Sequence, residues 1–195
     1  MDRSVFVEVT GGAIFMFCFG IVWLLIGLLQ GRPSPAWLRR LLLVVGLALG
    51  ASIATLGVRG SNLRHSPSAK SAQQLATGAE IARHFYIIFG VELAAIFVAV
   101  VVLKALRCPD YILCGIAIIV GVHFFPLAAL FRAPVYYGTG LFGCAIGLTG
   151  FLVADAGLRQ KIVALSFGFL LWMTAAWITG LGFTAPLVVR NLPPM

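Results

Sequence analysis

The chain has 195 residues, 61% of them hydrophobic and only 10% charged, with a mean hydropathy of +1.05. Soluble domains carry about 25% charged residues and must keep polar surface against water, so this composition excludes a water-soluble fold. The formal net charge of +8 arises from Lys and Arg placed between apolar runs without aromatic interleaving, which points to anionic lipid headgroups and away from nucleic acid.

A membrane-spanning helix needs about 20 mainly apolar residues to cross roughly 30 Å of hydrocarbon. The ionisable residues divide the chain at that scale. No charge lies between Glu8 and Arg32, which predicts a first span over about 10–30. Acidic Asp2 and Glu8 precede it and Gly31-Arg32-Pro33 follows, unlike a cleaved leader. Arg40 and Arg59 bracket a second span, 41–58. The segment 59–84 is rich in Ser, Ala, Gln and Arg and too polar to cross; its second half, from Ala69, suits either a surface helix or an extension of the next span. His84 and Lys104 bracket a third span, 85–103, broken only by Glu92. A fourth, 111–131, is broken only by His123, and Arg132 and Asp155 bracket a fifth, 135–154. Lys161 and Arg190 bracket the sixth, 162–184. The expected architecture is an all-α, polytopic six-helix transmembrane bundle over 1–195 as a single domain. A weak echo between Phe19-Gly20 and Phe89-Gly90, each followed by a Pro-containing turn and a Val-Gly helix, suits three helical hairpins.

Between these spans the connections are short and carry breakers, such as Arg32-Pro33-Ser34-Pro35, Cys108-Pro109-Asp110 and Arg132-Ala133-Pro134. Seven basic residues fall on each side of the expected bundle. One set is gathered into three tight turns, which favours a cytoplasmic location for those turns. Asp155 and Arg159 are expected to pair at that surface. The glycines Gly46 and Gly50, and again Gly143 and Gly147, stand in small-xxx-small register. Such faces suit close packing within the chain and also a homo-oligomer seam. Cys18, Cys114 and Cys144 lie in apolar runs and Cys108 in a turn, with no metal or redox spacing.

Polar residues inside the membrane carry the functional information, because an ionised group at mid-span costs about 2.5–3.5 kcal/mol on insertion. Glu92 lies about 12 Å beyond His84 along the third span, and His123 about 13 Å before Arg132 along the fourth, at 1.5 Å per residue. The two spans are antiparallel across a tight turn, so both residues are expected at one depth. A Glu and a His there can share a proton; an unpaired Glu92 would instead be neutral. Pro126, three residues beyond His123, should disturb the fourth span and free a carbonyl. Further polar groups gather toward the same side: Glu8 and Thr10, Arg83 and His84, Tyr136, Tyr137 and Thr139, and Thr184. Together they predict a half-membrane vestibule closing on Glu92 and His123. The candidate ligand- or ion-binding residues are Glu92, His123, Tyr137, Thr139, His84, Arg83 and Glu8. Packing roles for His123 and interfacial anchoring by Tyr136 and Tyr137 compete with that reading.

The stretch Phe89-Gly90-Val91-Glu92, followed by Gly121-Val122-His123-Phe124-Phe125-Pro126-Leu127-Ala128, Phe131 and Pro134-Val135-Tyr136-Tyr137-Gly138-Thr139-Gly140, resembles a group of small bacterial membrane proteins. That group carries a His-Phe-Phe-Pro-Leu-Ala element on one helix and has no assigned activity. The resemblance covers about the third to fifth spans and implies a multi-pass protein of the bacterial inner membrane, without transferring any catalytic residue.

Three functions are open on this sequence: a small-solute or ion permease or channel with Glu92 and His123 in its path, a non-catalytic membrane subunit, sensor or assembly partner, and an intramembrane enzyme or cofactor protein. No HExxH, GxSxG or P-loop motif is present, which weighs against the third. No metal or cofactor is expected; haem held by His84 and His123 would need ligands roughly 10 Å apart in depth to share one plane. Expected partners are membrane lipids and a small solute or ion.

Overall fold

The computed structural model describes residues 3–29 and 72–188, together with 35–37, 40–41, 44–46, 48 and 50–51; side chains are described over 12–29, at those intervening positions, and over 79–179. Helices run over Arg3–Leu29 (α1), Ala72–Ala105 (α2), Ile112–Phe131 (α3), Val135–Gly150 (α4) and Ala156–Val188 (α5). A 3-10 turn at Pro109–Tyr111 leads into α3, and no strand occurs among the described residues. Four stretches are long and apolar enough to cross a membrane: Gly12–Leu29, Ala79–Ala105, Pro109–Phe131 and Ala156–Thr179. The chain is an all-α, multi-pass membrane bundle.

α2 starts at Ala72, so the polar stretch before the third span extends that helix rather than forming a separate one. The second span, 41–58, falls partly outside the described residues. Its described positions 44–46, 48 and 50–51 are helical. There a Cβ on Gly46 would stand 2.8 Å from Cη2 of Trp172, and one on Gly50 would stand 3.1 Å from Cζ of Phe17. These two glycines therefore meet aromatic rings of α5 and α1 in the same chain.

The most extensive packing joins the first helix to the last, α1 along α5. Trp23 lies on Phe167 with ring centroids 4.6 Å apart, and Phe17 stacks on Trp172 at 5.8 Å. The Trp172 indole N–H donates to the Phe17 carbonyl at 3.3 Å. α3 and α4 form an antiparallel hairpin of close backbone approach, where Gly121 faces Gly140 and Gly147 faces Cys114 and Ile118. The Gly143 and Gly147 face is thus occupied within the chain. α2 packs chiefly on α3, and only 6% of its spanning window is buried. Its outer face, including Tyr86, Val91 and Phe97, is left to the surroundings.

The fifth span differs from the expectation of 135–154. α4 has 16 residues and stops at Gly150, about 24 Å of helix and short of the roughly 30 Å of hydrocarbon. The reason lies at its end. Phe151 and Leu152 turn, and Val153 to Asp155 leave the helix. Arg159, only 4% exposed, reaches back from α5 to satisfy that irregular backbone. Its Nε donates to the Val153 carbonyl at 2.9 Å and its Nη2 to the Ala154 carbonyl at 3.2 Å. The guanidinium also lies 3.9 Å over the Tyr111 ring. Asp155 uses its carboxylate differently from the pairing expected with Arg159: Oδ1 accepts the Leu158 N–H at 2.6 Å, an N-cap for α5. Arg159→Met keeps the aliphatic stem but removes both charge-assisted bonds. It should lower stability by about 2 kcal/mol in denaturant titrations of detergent-purified protein. A loss below about 0.5 kcal/mol would mean that water serves those carbonyls as well as the arginine does.

Candidate functional site

Equal depth follows from the hairpin of α2 and α3. The tight turn through Pro109–Tyr111 sends α3 back along α2, so residues spaced similarly from the turn come level. Glu92 on α2 and His123 on α3 are 7% and 8% exposed, and Nε2 of His123 stands 3.4 Å from Oε2 of Glu92. The separation is that of an ion pair without hydrogen-bond geometry. Neither ring nitrogen of His123 has a hydrogen-bond partner among the described residues. Buried polar atoms are nearly always bonded, so the two enclosed ring nitrogens of His123 stand out as exceptions.

Beside the pair lies a cavity of about 490 Å³, within the range of small-molecule sites. α1 contributes Gly12, Phe15, Met16 and Phe19; α2 contributes Phe85 and Glu92; α3 contributes His123, Phe124 and Phe131. Tyr136 of α4 and Leu171 of α5 complete it. Of its wall residues, Phe15 and Phe19 on α1 and Tyr86 on α2 are 39%, 38% and 70% exposed. The mouth therefore lies between α1 and α2. Beyond Val120 and Leu171 the bundle is filled: Cys114, Ala117, Val163 and Phe167 are fully buried, and the cavity reaches no further. Pro126 sits within α3, which continues to Phe131. Having no N–H, it leaves the Val122 carbonyl without the donor that residue 126 ordinarily supplies.

The other sequence candidates do not all converge here. Arg83 is exposed and lines a shallow hollow with Ala79 and Ile87 that adjoins the cavity at Ala82 and Tyr86. His84 is also exposed, its Nδ1 2.9 Å from the Glu80 carbonyl one turn back. Tyr137 is 47% exposed, its ring 6.2 Å from that of Phe125. Thr139 is buried but turned to α5, its Oγ1 2.8 Å from Oγ1 of Thr174. None of these four lines the cavity. The side chains of Glu8, Thr10 and Thr184 lie outside the described residues. Tyr136, placed by the sequence in the vestibule with interfacial anchoring as the competing role, is 4% exposed on the cavity wall. Its hydroxyl lies against Gly12, where a Cβ would come within 2.8 Å. The aromatic wall from α1 was missed. Phe15 and Phe19 at i, i+4 share a helix face, a signal too common in apolar helices to separate a cavity wall from a lipid face.

Among the described residues no group of three or more His, Cys, Asp or Glu could hold a metal ion. The described residues form a multi-pass membrane bundle with a buried acid–imidazole pair on the wall of an aromatic-lined cavity. Residues 3–180 match the model of a family of unknown function (DUF7010), and the chain belongs to that family. No curated protein and no solved structure matches it.

Proposed function

We propose that the protein is a small-solute permease of the bacterial inner membrane, with the cavity between α1 and α3 as its binding chamber and Glu92 with His123 as the binding groups. The observation that carries this reading is the pairing of a buried carboxylate and an unbonded imidazole on the wall of a cavity of ligand size. Ionisable side chains are retained inside a membrane at a cost of a few kcal/mol each, and there they commonly mark substrate or ion paths. An apolar lining suits a carrier that dehydrates its solute better than a water-filled ion channel. The three basic tight turns favour placing the closed half of the bundle toward the cytoplasm.

The filled layer beyond Val120 and Leu171 favours a second reading, a membrane subunit that binds a ligand without passing it across. One measurement separates the two. Vesicles reconstituted with purified protein and challenged with a solute panel should take up at least one solute. Glu92→Gln, verified as folded by its elution profile and melting curve, should reduce that uptake about tenfold or more, the equivalent of one lost charge-assisted contact. Uptake unchanged by Glu92→Gln removes this carboxylate from the path. Ligand-induced thermal stabilisation without any uptake selects the binding subunit.

A further inference from the structure

Resting on that chamber reading, we propose that the ligand is a hydrophobic organic monocation, a quaternary or protonated amine, with its charge against Glu92 and its apolar groups on the aromatic wall. Charge balance carries most of the weight. Among the described lining residues Glu92 is the one acidic side chain and none is Lys or Arg; Arg83 lies in an adjoining outer hollow that shares Ala82 and Tyr86 with the cavity. A buried ion is tolerated only when matched. An anion would meet a carboxylate with nothing but an imidazole to offset it, and a zwitterion would leave its negative half unmatched. A monocation and the Glu92 carboxylate neutralise one another.

The wall supplies the second observation. Seven of the sixteen described lining residues are Phe or Tyr, against 12% aromatic residues in the whole chain. Aromatic faces attract cations through the ring quadrupole, by about 0.5–2 kcal/mol each according to desolvation, and they cover apolar substituents equally well. His123 is suited to the same occupant. A neutral imidazole adds no competing charge, and its Nε2 stands 3.4 Å from Oε2 of Glu92, beside the carboxylate that the cation would neutralise. The mouth between α1 and α2, bordered by Phe15, Phe19 and Tyr86, presents apolar edges. A ligand dissolved in the hydrocarbon can pass them without shedding a hydration shell.

The test uses a shape-matched series: tetraphenylphosphonium, tetraphenylmethane and tetraphenylborate share one outline and differ in charge. Benzyltrimethylammonium serves as a smaller cation. Equilibrium dialysis of the detergent-purified full chain, corrected against empty micelles, should show at least one of the two cations binding about tenfold tighter than tetraphenylborate, a difference of about 1.4 kcal/mol. Glu92→Gln should abolish that preference and Glu92→Asp should keep it. Absence of binding by both cations overturns the inference, as does tetraphenylborate binding as tightly as the cations. The wild-type series decides the matter even if Glu92→Gln fails to fold. Cation binding without vesicle uptake leaves this inference standing and removes the permease. Glu92-dependent uptake of a neutral or anionic solute, without cation preference, does the reverse.

Discussion

Gly121→Ala should destabilise the protein by about 3 kcal/mol, the upper part of the range for overpacking a filled core. Its Cβ would stand 2.7 Å from the Cys144 amide nitrogen and 3.0 Å from the Gly140 carbonyl oxygen. Backbone atoms cannot rotate aside as a side-chain tip can, so α3 and α4 would have to separate. Gly147→Ala should behave alike, with the Cys114 carbonyl oxygen 2.8 Å away. Gly138 and Gly90 are the controls, because nothing lies within 4 Å of a Cβ there. Alanine at either should be neutral or stabilising by up to about 1 kcal/mol through helix propensity. Denaturant titration in mixed micelles measures all four. If Gly121→Ala and Gly138→Ala proved equally harmless, the intimate contact between α3 and α4 would have to be abandoned.

Removal of the Glu92 side chain should have the next largest effect. Glu92→Ala should cost about 3 kcal/mol, since it removes a buried side chain between α2 and α3 and takes away the carboxylate 3.4 Å from His123. Glu92→Gln keeps the volume and a hydrogen-bonding end and should cost about 1 kcal/mol. In a His123→Ala background both losses should shrink, that of Glu92→Ala by a coupling of about 1–2 kcal/mol across the 3.4 Å contact. Strict additivity in this double-mutant cycle would show that the two groups do not sense one another.

Four of the six expected spans were legible because charge is expensive in hydrocarbon, so each ionisable residue acts as a boundary or an exception. The same principle brought out Glu92 and His123: depth along two antiparallel helices needs only a count of residues and a tight turn. What depth could not supply was direction around the helix axis. The sequence assigns Arg83, His84, Tyr137 and Thr139 to the same end of the bundle as the pair, yet α2 turns Arg83 and His84 outward, and α4 turns Thr139 to Thr174. In a soluble helix, polarity marks the outer face. Here lipid and protein interior are equally apolar, so Phe15 on the cavity and Val22 on the exterior look alike in the sequence. Arg159 misled for a related reason: a terminal arginine reads as surface until the carbonyls of Val153 and Ala154 are seen to need a donor. The short α4 has the same origin, because Phe151 to Ala154 are apolar but not helical.

The union of α1 with α5 governs how the molecule can be assembled. During synthesis Trp23 is made long before Phe167, the ring on which it comes to rest. At elongation rates of about 5–20 residues per second the interval is on the order of ten seconds. Over that time the leading helix sits in the bilayer, or beside a chaperone or the translocation machinery, without its final neighbour. Closure of the bundle is therefore a late event, and a nascent chain stalled ahead of α5 would keep Met16, Trp23 and Leu24, all buried at maturity, facing lipid.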